Sequence, residues 1–428
     1  MKTFCMIGLL TIAAATATAG SVELVGRRAR VLEMQTFHLD RVSDVDVEAV
    51  GIRGKFSNDL YASAWIVDDQ GRTVWSLDKS AWKPAAGQRY LIGADDRVRL
   101  DAGAYVAYLY PGGHWGRSSH PFKELSRVFN DLADILRSDD PGKNPDLYAA
   151  RCSFRLETTG GVIQLIDAMP PLEAQVVLAP VGDAETRESL VRVLSPTTLR
   201  IAVCGERSDG GLFDMGWIED AVTGDPIWVM DATRCSAAGG AVKNAHWSGE
   251  VPVDPGTYRI SYATDSSHAW DDWNDRPPAD PRQWGLLVDA VDANALVILD
   301  TFDPDLDASV LVRWLRVGDD TDMLHDVAFE HPVRIQVDAL GEGSRRSMFD
   351  GGKILDRGNG QVVWAMNWSN TEPAGGAEKN RRYHGVLDLP AGEYRLVYGT
   401  DGSHAFGSWN MTPPREPFRY GMVVRVLK

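Results

Sequence analysis

The chain repeats itself: Phe213 to Gly285 matches Phe349 to Gly421 at 30 of 73 positions, without a gap, at a constant offset of 136 residues. A duplication of that length restricts the fold to a domain-sized unit that can stand in tandem with itself. Each copy ends in an unusual box, SHAWDDWNDRPPADPRQWG from Ser267 to Gly285 and SHAFGSWNMTPPREPFRYG from Ser403 to Gly421. Upstream, VVLAPVGDA (Val176 to Ala184) corresponds to VRWLRVGDD (Val312 to Asp320), and TTLRIAV (Thr197 to Val203) to HPVRIQV (His331 to Val337) if a two-residue shift precedes Phe213 and Phe349.

A weaker third likeness lies nearer the start. GRTVWSL (Gly71 to Leu77) parallels GDPIWVM (Gly224 to Met230) and GQVVWAM (Gly360 to Met366), and DAGAY (Asp101 to Tyr105) parallels DPGTY (Asp254 to Tyr258) and PAGEY (Pro390 to Tyr394). After Ser119 and His120 the WN and PP elements are replaced. Phe122, Leu125, Phe129, Leu132 and Leu136 recur there at helical spacing behind Pro121, which predicts an amphipathic helical insert near 121–137.

Elsewhere the runs are strand-like. Arg200 to Val203, Ile227 to Met230, Tyr258 to Tyr262 and Leu286 to Val291 are short, rich in β-branched and aromatic residues, and separated by Gly, Pro, Asp and Asn. The expected fold is therefore all-β: three tandem antiparallel β-sandwich modules of jelly-roll type, over 20–158, 159–292 and 293–428, the first carrying the insert. Parallel α/β architecture is disfavoured, because helical patterns do not alternate with the strands. The succession of FEHPVRIQV, a "D…G…W" strand pair and PAGEYRLVY resembles the pre-peptidase C-terminal type of β-sandwich found on secreted bacterial proteins. That resemblance covers each module's core but not the box, and it implies a non-catalytic accessory module that binds or stabilises.

Lys2, the apolar run from Phe4 to Ala17 and the small residues Ala17, Thr18 and Ala19 read as a signal peptide over 1–19, so an exported protein, periplasmic or extracellular, is expected. No later run approaches the length of a membrane-spanning helix. A net charge of −16 argues against nucleic acid, whose phosphates call for a basic face. Cys152, Cys204 and Cys235 follow the leader, and Cys204 and Cys235 share one copy while the other has no cysteine at either place, which makes a Cys204–Cys235 disulfide the favoured pairing.

The box admits two readings. Its Pro pairs fix extended backbone and its Asn, Ser and Asp side chains cap turns, so it can be a loop pinned by an internal His/Asn/Trp network. Alternatively it presents a binding surface, with His268, Trp270, Trp273, Asn274 and Trp284 answered by His404, Phe406, Trp409, Asn410 and Tyr420. Flat rings beside hydrogen-bonding groups suit a carbohydrate or a protein segment. Asp265, Asp271, Asp272 and Asp280 offer calcium ligands close in sequence, although Gly407 and Ser408 replace the middle two in the other copy, and no other cofactor is expected. The second repeated cluster, AGGAVKN (Ala238 to Asn244) and AGGAEKN (Ala374 to Asn380), lacks the spacing and following helix of a phosphate loop and reads as a hairpin connection. Its Lys243 and Lys379 are expected to reach an acidic neighbour such as Asp220 or Asp356.

No nucleophile elbow, HExxH pair or deaminase pattern is present, so no catalytic residue is assigned. Paired copies suit multivalent binding, in which linked weak sites gain affinity through effective concentration. The leading expectation is a non-catalytic exported binding protein. A structural component of a cell-envelope complex comes second, and a secreted hydrolase using a carboxylate pair third.

Overall fold

The computed structural model of the protein describes residues 20–53, 60–85, 90–113, 144–208, 211–270, 272–300 and 309–427. The sequence-predicted leader and the helix near 121–137 lie outside these. Among the described residues the chain is all-β, every ladder between strands is antiparallel, and the one α-helix is the short Pro145–Ala149. No helix among them is long and apolar enough to cross a membrane.

Two compact units divide the chain, 1–170 and 171–428. In the first, Val22–Val25, Ser153–Thr158, Ser43–Arg53, Leu91–Leu100 and Lys83–Pro84 pair in that order. Thr73–Ser76, Leu60–Asp68, Gly103–Tyr110, Glu33–Leu39 and Ile163–Ile166 form a second series, and the end of Ser43–Arg53 joins the two through Leu60–Asp68. Alternation drives the folding of these strands: along Ser43–Arg53, Val45, Val47 and Ala49 are buried while Asp44 and Glu48 face solvent. Their inward side chains meet Phe154 and Trp75, which stack with ring centroids 5.3 Å apart. The pairing of Ile163–Ile166 with Glu33–Leu39 carries this unit past residue 158.

The second unit holds both copies of the long repeat, the one with the box Ser267–Gly285 termed copy two and the one with Ser403–Gly421 copy three. In copy two the order is Val176–Leu178, Gly285–Ala290, Thr197–Ser208, Asn244–Val253 and Ser236–Ala237 on one sheet, and Pro226–Val229, Met215–Asp220, Gly256–Ala263, Thr186–Val193 and Leu296–Leu299 on the other. Copy three repeats the first sheet with Val310–Trp314, Gly421–Leu427, Val333–Glu342, Asn380–Leu389 and Glu372–Pro373, and the second with Val362–Ala365, Gly351–Asp356, Gly392–Gly399 and Asp322–Phe329. The first unit follows the same order of partners. One expectation is corrected here. Thr197 pairs with Val253 and Val333 with Leu389, so the offset of 136 runs through without the two-residue shift, and Thr197 corresponds to Val333.

Copies two and three pack on each other through residues that differ between them. Phe418 enters the core of copy two and stacks on Trp217, with centroids 5.0 Å apart and planes at 12°. Arg316 also lies over the Trp217 ring, its guanidinium carbon 5.5 Å from the centroid, and bonds Glu188 and Glu219. Arg419 and Arg425 donate to the Gly224 and Thr223 carbonyls. At the equivalent positions stand Lys353 for Trp217, Arg282 for Phe418 and Pro180 for Arg316. Burying a phenylalanine side chain contributes about 2–3 kcal/mol, which makes the Phe418 contact a main anchor of this boundary.

Candidate functional site

Each box is built on the glycine hairpin that precedes the strand Asn244–Val253 or Asn380–Leu389. Gly239 and Gly240 have φ of 82° and 67°, and Gly375 and Gly376 of 83° and 65°, a region that glycine enters without strain. This turn lets the chain lie against the proline loop so closely that a Cβ on Gly240 or Gly376 would sit 1.8 Å from the carbonyl oxygen of Pro277 or Pro413. Asn244, the first residue of the following strand, locks the approach: its Nδ2 donates to the Gly239 and Arg276 carbonyls at 2.8 and 2.9 Å. Asn380 does the same with Gly375 and Thr412 at 2.9 and 3.0 Å.

The same amides bind the histidines. His268 Nε2 lies 2.6 Å from Asn244 Oδ1 and His404 Nε2 2.7 Å from Asn380 Oδ1. Both asparagine nitrogens already donate twice, so Oδ1 accepts and the imidazole Nε2 carries the proton. Both histidines are fully buried and hold left-handed backbone, at φ 61° and 63°. Their rings sit edge-on in aromatic clusters: His268, Trp273 and Trp284 meet at 5.0–5.4 Å, and Trp409 stands 5.0 Å from His404 and 5.2 Å from Tyr420.

The structure thus brings together most of the box residues singled out in the sequence, and turns half of them fully inward. His268, Trp273, Trp284, His404 and Tyr420 are fully buried. Trp270, Phe406 and Trp409 are partly exposed, and the Trp270 and Phe406 amides donate to the Val181 and Val317 carbonyls. Asn274 and Asn410 accept from Lys243 and Lys379. Those lysines reach Glu206 and Glu342, at 3.0 and 2.8 Å, rather than Asp220 and Asp356 as expected.

A further pairing is corrected. Cys204 and Cys235 are both free thiols, as is Cys152. The strand Asn244–Val253 runs between them: Cys204 pairs with His246 on one side, while Ser236, next to Cys235, pairs with His246 on the other. Two strand spacings come to roughly 10 Å, beyond the roughly 7 Å that a disulfide spans between Cα atoms.

Beneath each box lies a cluster of carboxylates that sequence reasoning did not single out. Glu206, Asp214 and Asp265 each offer an oxygen within 4.8 Å of the others, and Glu342, Asp350 and Asp401 repeat the arrangement. Asp214 accepts from the Asp265 amide at 2.8 Å and from Trp284 Nε1 at 3.1 Å; Asp350 accepts from the Asp401 amide and the Tyr420 hydroxyl. Burial and then the neighbouring carboxylates raise Asp214 well above the ordinary range. Burial pushes Glu206 up to about 7 against the pull of Lys243, and Asp350 up to about 6. Asp265 is the only member of the earlier calcium set in this cluster: Asp280 is bound by Arg282 through two bonds of 2.8 Å, Asp272 is outside the cluster, and Asp271 lies outside the described residues. The missed signal was present, since all three carboxylates recur at 136, but the assumed shift set Glu206 against Leu340.

Between the two copies opens a cleft of about 860 Å³. Copy two lines it with Leu212, Met215, Val229 and Met230, and the box of copy three with Pro413, Pro414 and Arg415. Arg207, Asp231, Lys243 and Asp275 add charges of both signs. A scan against protein-family models and a search of curated proteins give no match to this chain.

Proposed function

We propose that the chain is an exported, non-catalytic binding protein that holds an extended segment of another protein in the cleft between copies two and three. The mixed wall of that cleft carries the reading. Its volume of about 860 Å³ falls within the roughly 300–1,000 Å³ of ligand pockets. Met215, Met230 and the proline pair offer an adaptable apolar floor, and the flanking Arg207, Asp231 and Arg415 suit a backbone and charged side chains. A carbohydrate is the weaker choice, because no aromatic ring lines the cleft among the described residues and the box rings that would stack on a sugar are mostly buried. The resemblance to accessory modules of secreted proteins points the same way.

The test is selection of binding peptides from a displayed library on the full chain, followed by titration against Val242→Asp and Arg415→Ala. Val242 is 86% exposed and lines the cleft, so its replacement leaves the fold intact. The expected result is binding at least about 10-fold weaker to Val242→Asp, the equivalent of 1.4 kcal/mol. Peptides that bind both variants as well as the parent, or no selectable peptide, would overturn the proposal. A second reading, a structural component of an envelope complex, draws support from the box groups being tied internally. A defined homo-oligomer in sedimentation, with no peptide bound, would favour it.

A further inference from the structure

We propose that copies two and three each bind a calcium-class divalent cation, one on Glu206, Asp214 and Asp265 and the other on Glu342, Asp350 and Asp401. Charge is the first argument. Three carboxylates stand beside one ammonium in each cluster, Lys243 in the first and Lys379 in the second, which leaves two negative charges per cluster when all are ionised.

An unpartnered oxygen in each cluster points to the same ligand. Glu206 is 7% exposed and Glu342 5%; in each, Oε1 pairs with the lysine while the buried Oε2 has no hydrogen-bond partner. A buried carboxylate oxygen left so is costly unless a cation meets it. That the same atom is left over in both copies, although the copies differ at more than half of their aligned positions, separates it from accident.

An all-oxygen donor set selects a hard divalent cation. Calcium accepts oxygens at roughly 2.3–2.6 Å in flexible geometry, whereas magnesium demands near-octahedral order and gives up its waters reluctantly, which suits carboxylates fixed by the fold less well. The oxygens of each cluster lie within 4.8 Å of one another, so one calcium ion can reach all three. Asp214 and Asp350 are held in place by amide and ring donors, while Asp265 is half-buried and Asp401 exposed, so each cluster has a path from solvent along which water can complete the coordination. The nearby lysine weakens binding, and a Kd on the order of 10⁻⁴–10⁻³ M is expected, as in extracellular calcium modules.

The experiment is calorimetric titration of chelator-treated full chain with calcium chloride up to about 10 mM, well above that Kd. Two ions per chain are expected, with the unfolding midpoint rising as calcium is added. Terbium(III), used as a luminescent probe, should be excited through Trp284, whose indole bonds Asp214. Asp401→Asn alters an exposed side chain and should reduce the stoichiometry to one; adding Asp265→Asn should abolish binding. Absence of heat and of any midpoint shift in the folded parent would overturn the proposal, as would a stoichiometry untouched by both substitutions. Magnesium binding as tight as calcium would overturn the choice of ion.

Discussion

Asn244 and Asn380 each make one imidazole contact and two carbonyl bonds, so a single side chain joins hairpin, proline loop and histidine. The glycine beside them is equally constrained. Gly376→Ala should lower stability by about 3 kcal/mol or more, since left-handed strain of roughly 1–2 kcal/mol adds to a collision with Pro413. Gly375→Ala, whose Cβ would come 3.2 Å from the Arg415 Cβ rather than collide with backbone, should incur the strain with a smaller steric cost; urea unfolding of the two variants checks the difference. His404 supplies a pH test. Burial, and then the charge of Lys379, depress its pKa to about 4, so below the ordinary 6.5 the unfolded chain takes up a proton that the folded chain refuses. Stability should be full above pH 6.5 and fall as pH drops towards 4, by about 2 kcal/mol at pH 5 relative to its pH-7 value. Unfolding free energies at the two pH values, each referred to His404→Gln, isolate this contribution, and a difference that does not change with pH would refute it.

Among the elements, the strand next to the short edge strand of the first sheet decides what can meet. Asn244–Val253 separates Cys204 from Cys235, so Cys152, Cys204 and Cys235 should all alkylate in denaturant without reductant, and mass spectrometry of the peptides reads each directly. In the folded chain Cys152 and Cys204 should resist, being buried. Cys235, half-exposed and raised to about 11 mainly by burial, should react slowly at neutral pH. The strand runs and the glycine turns were legible beforehand because alternation and turn residues act locally. The free thiols were not, because cysteines in one copy can still be held on opposite sides of a strand. The two-residue shift failed for a different reason: TTLRIAV and HPVRIQV share Arg, Ile and Val at that shift, and a slip of two keeps every side chain on its own face, so only the cross-strand pairing of Thr197 with Val253 and of Val333 with Leu389 decides the register.

For the whole second unit, Phe418 is a main anchor of the union of copies two and three. Phe418→Ala should cost about 3–5 kcal/mol and split the urea transition in two, with the copy-three box still tied internally; tryptophan fluorescence monitors it through Trp217. A single unbroken transition at unchanged midpoint would show that the copies do not rely on this stack. The duplication also explains where the boundary lies: the glycine pair, the asparagine and the histidine that tie each box are shared by the copies, while residues that distinguish them, Trp217, Arg316 and Phe418, build the contact.

By itself the sequence determined the repeat, the all-β class and the group of residues that form each box, since periodicity, turn chemistry and self-similarity are written along the chain. Tertiary structure alone decided that most of the box rings turn inward, that the lysines choose Glu206 and Glu342, and that three carboxylates from distant segments converge beneath each box. The physical reason is distance: Glu206 and Asp265 lie 59 residues apart in the chain, and only the packing of one sheet on another sets how near their oxygens come.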